Sequence, residues 1–216
     1  MGKIITQKDV EEAKKVASLH LANLDETFYY HRKGHTIKGV VPTAMMLAKK
    51  EKFTKQETYL VAIAALFHDT GFTKQYLENE IIGADLAEEF MEKHGFSKEQ
   101  IITVRNAILS TNLKYTPVTK FEKVLRDADL AALGKKGFWE WMQDLRKETL
   151  HYPECHLFEY AKSWDVWLGF EVYFLEQQHS WCTPSAHKLF SKQKAKNLSR
   201  LKELALRRTY SLPVST

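Results

Sequence analysis

The sequence predicts an all-α fold, and two of its features lead to this prediction. Apolar residues recur at intervals of three and four through most of the chain, which is the spacing of amphipathic helices. No stretch shows the sustained alternation with flanking turns that predicts paired strands. With 216 residues, of which 44% are hydrophobic, the chain is long enough to bury a core of useful size.

The clearest helix starts are capping boxes, in which a Thr or Ser side chain caps backbone amides and a residue three positions later reaches back. Thr54 with Glu57 predicts the start of one helix, and Ser97 with Gln100 predicts the start of another. The helix that follows Thr54 carries an apolar face that runs up to His68. Both segments are therefore predicted to belong to a helical core.

Other amphipathic segments complete the core. The segment Glu80–His94 predicts a helix that stops at Gly95. Its predicted inward residues are Ile81, Ile82, Leu86, Phe90 and Met91. A later stripe is formed by Phe121, Val124, Leu125, Ala128 and Ala132. The segment Ile37–Lys50 also has a helical period but contains Pro42, so its helix either begins near Val41 or is kinked at the proline.

The C-terminal third is predicted to be a helical extension, over about 155–216, that packs on a metal-site core of about 20–150 within a single domain of 1–216. Aromatic residues at helical spacing predict this contact: Trp164, Trp167, Phe170, Tyr173 and Phe174. Residues 188–208 contain eight Lys or Arg and one acid, hence +7, whereas the remainder has 24 basic and 26 acidic residues, hence −2. A solvated basic helix explains this charge, and nucleic-acid binding is the alternative.

The two cysteines and the N-terminus bear on the compartment. Cys155 and Cys182 have no short metal-ligand spacing and do not form a disulfide framework, which favours a reducing cytoplasm. The N-terminal segment lacks the apolar region of a signal peptide, and no run approaches the roughly 20 apolar residues of a membrane span. We therefore predict a cytoplasmic protein without a membrane segment.

Two pairs of residues are candidates for a metal site. His68 and Asp69 stand at the predicted end of a helix, where two neighbouring side chains can converge on one ion. Imidazole with carboxylate suits a borderline or hard divalent metal. His31 and His35, four residues apart, would lie on one helical face. Taken alone, the first pair also fits an ordinary helix end, and the second fits an exposed basic loop.

Asp127 and Asp129 form a third group. On a helix these residues lie about 200° apart, so one of them faces the apolar stripe. Asp129 lies about 80° from the centre of the stripe and Asp127 about 120° from it, which favours Asp129 as the inward residue. A carboxylate that borders an apolar face needs a partner such as a metal. For Asp127 the alternative is an ion pair with Arg126 or a lysine at the surface.

With His, His-Asp and Asp in this order on helices, the sequence resembles the HD-domain superfamily of metal-dependent phosphohydrolases. The motifs YHRKGH, FHD and DADLAALG carry the resemblance, together with Asn79-Glu80 and the closing run 193–204. They are similar to a subgroup described as predicted phosphohydrolases of this superfamily. The resemblance spans nearly the whole chain and implies an HD-domain-like helical bundle with a C-terminal helical extension.

The resemblance also implies a site. His35, His68, Asp69 and Asp129 would bind one divalent ion, which could be Mn, Fe, Co, Ni, Zn or Mg. Asp69 would also orient the attacking water, and His31 matches the place where HD-type phosphodiesterases protonate the leaving oxygen. The further histidines of binuclear members are missing, and so is the lysine of the HDxGK motif of cyclic-dinucleotide phosphodiesterases. These departures favour one metal and argue against that activity.

Further residues are candidates for catalysis and substrate binding. Glu80 is predicted to orient a ligand histidine, and a simple charge in the first turn of its helix is the alternative. The candidate phosphate contacts, each otherwise a solvated surface charge, are Arg32, Lys33, Lys114, Lys135 and Lys136.

The leading functional hypothesis is a metal-dependent phosphohydrolase. It would use metal-activated water to cleave a phosphomonoester or phosphodiester of a small molecule such as a nucleotide. One alternative is a catalytically weak module of the same fold that binds a nucleotide or a metal. The other is a nucleic-acid-binding helical protein that uses its basic C-terminal helix, which the near-neutral main body makes the weakest of the three.

Overall fold

The protein is all-α across the part of the chain that the structure, a computed structural model, describes: residues 2–210, with side chains through residue 207. The side chain of Arg208 and residues 211–216 of the predicted extension lie outside the described residues. The helices are α1 (Gln7–Ala22), α2 (Val41–Lys50), α3 (Lys55–Phe67), α4 (Asn79–Lys93), α5 (Lys98–Leu109), α6 (Lys120–Asp129), α7 (Phe138–Thr149), α8 (Phe158–Lys162), α9 (Trp164–Tyr173) and α10 (Pro184–Tyr210). The predicted fold class is confirmed.

Both predicted capping boxes are present. The Thr54 side chain accepts from the Glu57 amide while the Glu57 carboxylate accepts from the Thr54 amide at 2.8 Å, and α3 begins at the next residue. Ser97 and Gln100 make the equivalent pair of bonds at the start of α5. These local bonds satisfy amides that a helix start leaves without partners, which is why they can be recognised from sequence.

Pro42 lies in the first turn of α2, which begins at Val41 as one of the two alternatives proposed. The fixed φ of proline suits the first turn of a helix. The chain before it, His35–Val40, is a π-helical turn that runs directly into α2. The wider turn rotates the side chains of this segment away from the register of a continuous α-helix.

The buried face of α4 includes the predicted Phe90 and Met91, with Leu86 partly buried against the core, but the prediction is wrong at Ile81. Ile81 is 42% exposed, whereas the buried residues are Asn79, Gly83, Ala84, Ala87, Phe90 and Met91. Small residues occupy this face because α4 approaches the end of α3 closely. A β-carbon on Gly83 would lie 2.7 Å from the carbonyl oxygen of Phe67. The helical spacing of large apolar residues does not predict the part of this face that consists of Gly83, Ala84 and Ala87.

The described residues form two buried apolar clusters. The first joins α1–α6 and includes Ala186 and Phe190 from the start of α10. The second lies around Trp167 and includes residues of α7 and α9 together with Leu201 of α10. Helix α10 thus packs on both clusters, and Trp181 contacts both of them. None of the described helices has the length and apolar character that crossing a bilayer requires.

Substitution of Gly71 by alanine is expected to destabilise the fold by about 3 kcal/mol, the upper range for overpacked sites. A β-carbon there would lie 1.8 Å from the Asn79 carbonyl oxygen, so the turn after α3 and the start of α4 would have to separate. Urea unfolding measures the effect. In the matched control Gly169→Ala, within α9, the added methyl meets nothing within 4 Å and should stabilise the helix by up to about 1 kcal/mol. Equal stabilities for the two variants would contradict the close approach.

Candidate metal centre

Three helix boundaries bring the predicted ligands together. His35 is the first residue of the π-helical turn, His68 caps the C-terminus of α3 with Asp69 after it, and Asp129 is the last residue of α6. One potential ligand atom from each of His35, His68 and Asp129 lies within 4.8 Å of the other two. Residues that are 94 positions apart in the chain, His35 and Asp129, therefore share one site.

The distances between the ligand atoms fit a common ion. His35 Nε2 lies 3.2 Å from Asp129 Oδ1 and 3.6 Å from Asp69 Oδ2. His68 Nε2 lies 3.1 Å from Asp69 Oδ2 and 3.4 Å from Asp129 Oδ1. Ligands at about 2.1 Å from one ion in tetrahedral or octahedral geometry lie roughly 3.0–3.4 Å from each other. Two imidazoles and two carboxylates are the donor set that borderline divalent ions accept.

The His68 ring is oriented for metal binding by its own helix. Its Nδ1 lies 2.9 Å from the Ala65 carbonyl oxygen, which can only accept, so the ring proton is on Nδ1. Nε2, on the side of the two carboxylates, is then the nitrogen that would offer its lone pair to a bound metal. Although Asp69 is 3.1 Å away, the buried Nε2 atom has no hydrogen-bond partner. A buried nitrogen that approaches carboxylates without a hydrogen bond is the arrangement expected of a metal ligand.

The histidines and the aspartates of the site stabilise each other's charged forms. Burial opposes a charged ring at His68, yet Asp69 and Asp129 raise the pKa of the imidazole well above its ordinary value. Burial likewise opposes the charged form of Asp129, but the neighbouring His35 and His68 imidazoles keep its pKa well below the ordinary value. The buried Asp69 and the partly buried Asp129 thus require positive charge beside them, which protons on the histidines or a divalent ion can supply. Thr36 Oγ1 also donates to Asp69 at 3.3 Å.

Asp129, rather than Asp127, faces the two histidines. Asp127 is 1% exposed, and its carboxylate accepts from the amides of Cys182 and Thr183 at 2.8 Å and from the Thr183 hydroxyl at 2.7 Å. The suggested surface ion pair of Asp127 is therefore wrong. The residue is instead a buried anchor for the start of α10, because amides at a helix N-terminus favour a carboxylate.

His31 adjoins the site but is not helical, so the argument that His31 and His35 share a helical face was wrong. The residue lies in a bend two positions before the helical segment begins. Its ring centre is nevertheless 5.9 Å from that of His35 and 4.4 Å from that of Phe72. Tyr30 contacts both imidazoles, with ring centres 4.7 Å from His31 and 4.6 Å from His35. The tight bend, and not helix periodicity, brings the two histidines together.

Glu148, in the last turn of α7, was missed by the sequence analysis. Its carboxylate is fully buried and lies 2.5 Å from His31 Nδ1. Burial opposes a charged His31 ring, but Glu148 raises the pKa of this imidazole to about 9. The pKa of Glu148 is in turn lowered by His31 despite its own burial. An acid in an amphipathic helix gives no sign in the sequence that it is buried beside a histidine.

A cleft of about 260 Å³ opens beside His35 and Asp129. Of the predicted phosphate contacts, Arg32 and Lys135 line it, and Lys38, which was not predicted, lines it as well. The three other predicted contacts, Lys33, Lys114 and Lys136, are exposed and are not part of its wall. Aromatic side chains also line the cleft: Tyr29, Tyr30 and Trp141.

Lys135 is the most enclosed of these cations. Its Nζ donates to the Thr43 hydroxyl at 3.1 Å and lies 5.6 Å from the centre of the Trp141 ring. Burial lowers the pKa of this lysine. Arg32, by contrast, is exposed and contacts Asp144 at 3.3 Å.

Among the described residues, Glu80 makes no hydrogen bond or ion pair with His35 or His68, and the Nδ1 atom of His68 is already bonded to the Ala65 carbonyl. Glu80 is partly buried in the first turn of α4, and its Oε2 atom has no hydrogen-bond partner. Burial raises the pKa of this carboxyl, and the charges of Asp69 and Asp129 raise it further. The charge of Glu80 therefore interacts with Asp69 and Asp129, but Glu80 makes no contact that orients a ligand.

The comparisons agree with this geometry. The family model described as HD domain matches residues 32–132, a segment that contains His35, His68, Asp69 and Asp129. No curated protein and no solved structure gives a significant match. His31, Lys135 and Glu148 lie outside the matched segment. The matched segment and the convergence of its histidines and aspartates identify residues 32–132 as an HD domain.

Proposed function

We propose that this protein is a metal-dependent phosphohydrolase that uses water to cleave the phosphate ester of a small molecule. The observation that carries the proposal is the convergence of His35, His68 and Asp129 beside a cleft lined with cations. Asp69, whose Oδ2 atom is within 3.6 Å of both imidazole nitrogens, is proposed as the fourth ligand. When bound, one divalent ion would lower the pKa of water and polarise a phosphoryl oxygen.

The remaining chemistry falls to the side chains. We assign Asp69 the orientation of the attacking water and His31 the proton that the leaving oxygen needs. The proximity of Glu148 favours the protonated form of His31 at neutral pH, as an acid requires. Glu80 is retained only as a charge that influences Asp69 and Asp129.

The charges of the cleft favour a phosphomonoester over a diester. Arg32, Lys38 and Lys135 line it, and besides the metal-binding carboxylate the wall contains one acid, Asp144. A phosphomonoester near neutral pH carries up to two negative charges, which this surplus of positive charge matches better than the single charge of a diester. The volume of about 260 Å³ and the aromatic wall fit a small ester with a ring, such as a nucleotide.

The alternatives have weaker support. A nucleic-acid-binding surface on α10 would need free cations, but four of its seven described basic side chains have partners within the chain. These contacts are Lys194 with the His179 carbonyl, Arg200 with Trp139, Lys202 with Glu176 and Arg207 with Glu203.

Both cysteines are free, which supports the proposal of a reducing, cytoplasmic location. The other alternative, a module that binds a nucleotide or a metal without hydrolysing it, would have the same site, so only a measured rate of hydrolysis separates it from an enzyme.

A substrate screen tests the proposed function. Purified protein would be stripped of metal, reloaded separately with Mn, Fe, Co, Ni, Zn or Mg, and assayed with phosphomonoesters and matched phosphodiesters, nucleotides included. We expect metal-dependent release of phosphate from monoesters and about one ion per chain. Stoichiometric metal without hydrolysis in any combination would favour the binding module, and a chain that binds none of these ions would contradict both hypotheses.

Lys135→Met is expected to raise the KM for a phosphomonoester by about tenfold or more, since a charge-assisted hydrogen bond contributes about 1.5–3 kcal/mol. The metal content should not change because Lys135 bonds to Thr43 and not to a proposed ligand. Steady-state kinetics with metal analysis would measure both. Lys14→Met, at an exposed position on α1, is the matched control. An unchanged KM for Lys135→Met would exclude this lysine from phosphate binding.

A further inference from the structure

Four hydrogen-bond donors converge on the buried carboxylate of Glu148. The Oε2 atom accepts from the amides of Tyr30 at 2.8 Å and His31 at 3.0 Å. The Oε1 atom accepts from the Tyr76 hydroxyl at 3.2 Å and lies 2.5 Å from His31 Nδ1. One oxygen thus holds the backbone of the bend, and the other holds the imidazole ring. A buried carboxylate without such partners would be strongly destabilising.

The arrangement determines where the His31 proton resides. An ionised carboxylate only accepts hydrogen bonds, so Nδ1 must donate to it. Nε2 is therefore the ring nitrogen that remains available to bind or protonate another group. The backbone bonds to Tyr30 and His31 also fix the bend that places this ring 5.9 Å from His35. Glu148 therefore controls the position, the orientation and the proton placement of one side chain.

We propose that Glu148 is the positioning residue of the hydrolysis: it holds His31 so that Nε2 gives its proton to the leaving oxygen. This inference rests on the proposed function. As the bond between water oxygen and phosphorus forms, the bond to the leaving oxygen breaks, and that oxygen keeps the electron pair and takes the Nε2 proton. The ring is left neutral with its other proton on Nδ1 towards Glu148, and solvent returns the lost proton. The proton of the attacking water leaves with the phosphate product or to solvent.

Glu148→Gln tests the proposal because all four partners are donors. A glutamine can accept on one side only, and its amide must face either the backbone donors or the His31 ring. If it faces the ring, Nδ1 becomes an acceptor and the acidic imidazolium is lost. We expect kcat for an alkyl phosphate, whose leaving oxygen needs a proton, to fall about 10²-fold. For 4-nitrophenyl phosphate, whose leaving group needs little protonation, kcat should fall by less than about fivefold.

Two further measurements separate positioning from a merely structural role. In a His31→Ala background, Glu148→Gln should cause no additional loss, since the two residues act as one unit. In metal-free protein, the imidazole proton NMR signal of His31 Nδ1 should lie far downfield and disappear in Glu148→Gln. Glu159→Gln, an exposed acid of α8 paired with Lys162, is the control. If Glu148→Gln does not fold, Glu148→Asp, which retracts the carboxylate by one methylene, should give the same contrast between substrates.

Equal losses on the two phosphates, or a further loss in the His31→Ala background, would overturn the proposal. So would a downfield signal that survives in Glu148→Gln. The NMR signal does not depend on turnover. If the wild-type protein shows that signal but hydrolyses neither phosphate with any metal, the proposed function fails while the hydrogen bond between Glu148 and His31 stands.

Discussion

The His35→Ala protein is expected to lose its bound metal and, with it, hydrolysis by about 10³-fold or more, since a catalytic ion contributes several kcal/mol to the transition state. His35 is the suitable ligand to remove because its side chain is 11% exposed, whereas that of His68 is 1% exposed and its loss would leave a cavity. Elemental analysis of the purified variant measures the metal, and phosphate release measures the rate.

Stability supplies a second measurement of the same prediction. A ligand that binds only the folded state raises the melting temperature, so added metal should stabilise the wild type and leave His35→Ala unchanged. His187→Ala, on the exposed face of α10, is the control and should behave as the wild type. A His35→Ala protein that still holds one ion per chain would show that His35 is not a ligand.

His31→Ala is expected to keep the metal and to lose rate. The loss in kcat should be about 10²–10⁴-fold for an alkyl phosphate, the range for a general acid, with KM changed little. The wild-type rate should also fall as the pH rises through about 9, because the acid is lost when the His31 imidazole, with its raised pKa, deprotonates. In His31→Ala this alkaline limb should be missing.

Kinetics across pH with metal analysis of the same samples would measure both effects. His187→Ala, at an exposed position of α10 that does not line the cleft, is the control. Loss of metal together with rate in His31→Ala would place His31 among the ligands. An alkaline limb that persists in the variant would assign the limb to another group.

His68, Asp69 and Asp129 show what the local sequence pattern can predict about the site. His68 and Asp69 follow a capped apolar helix, and the helical angle already favoured Asp129 over Asp127. The geometry of the site agrees, although the angular margin was small. What the angle could not predict is the partner of Asp127, because its amide donors, at Cys182 and Thr183, lie 55 and 56 positions further along the chain.

The local sequence pattern did not predict the roles of Glu148 and Lys38. Glu148 stands in a polar turn of α7, and its buried carboxylate contacts the bend at His31, 117 positions earlier, and the hydroxyl of Tyr76. Lys38 lies in the π-helical turn, whose rotation differs from that of the α-helix assumed for this segment. Lys33 and Lys136 look similar in sequence but face solvent outside the cleft. Charge alone did not distinguish them.

The positions of the helices, their capping bonds and the His-Asp pair depend on residues within about four positions of each other, which is the range of helical hydrogen bonds and faces. The sequence by itself therefore determined these features. The partners of Asp127, the burial of Glu148 and the choice of cations around the cleft depend on contacts between segments that are distant in the chain. Such contacts are set by how whole helices pack, as the approach of α4 to α3 at Gly83 illustrates, and only the folded molecule specifies them.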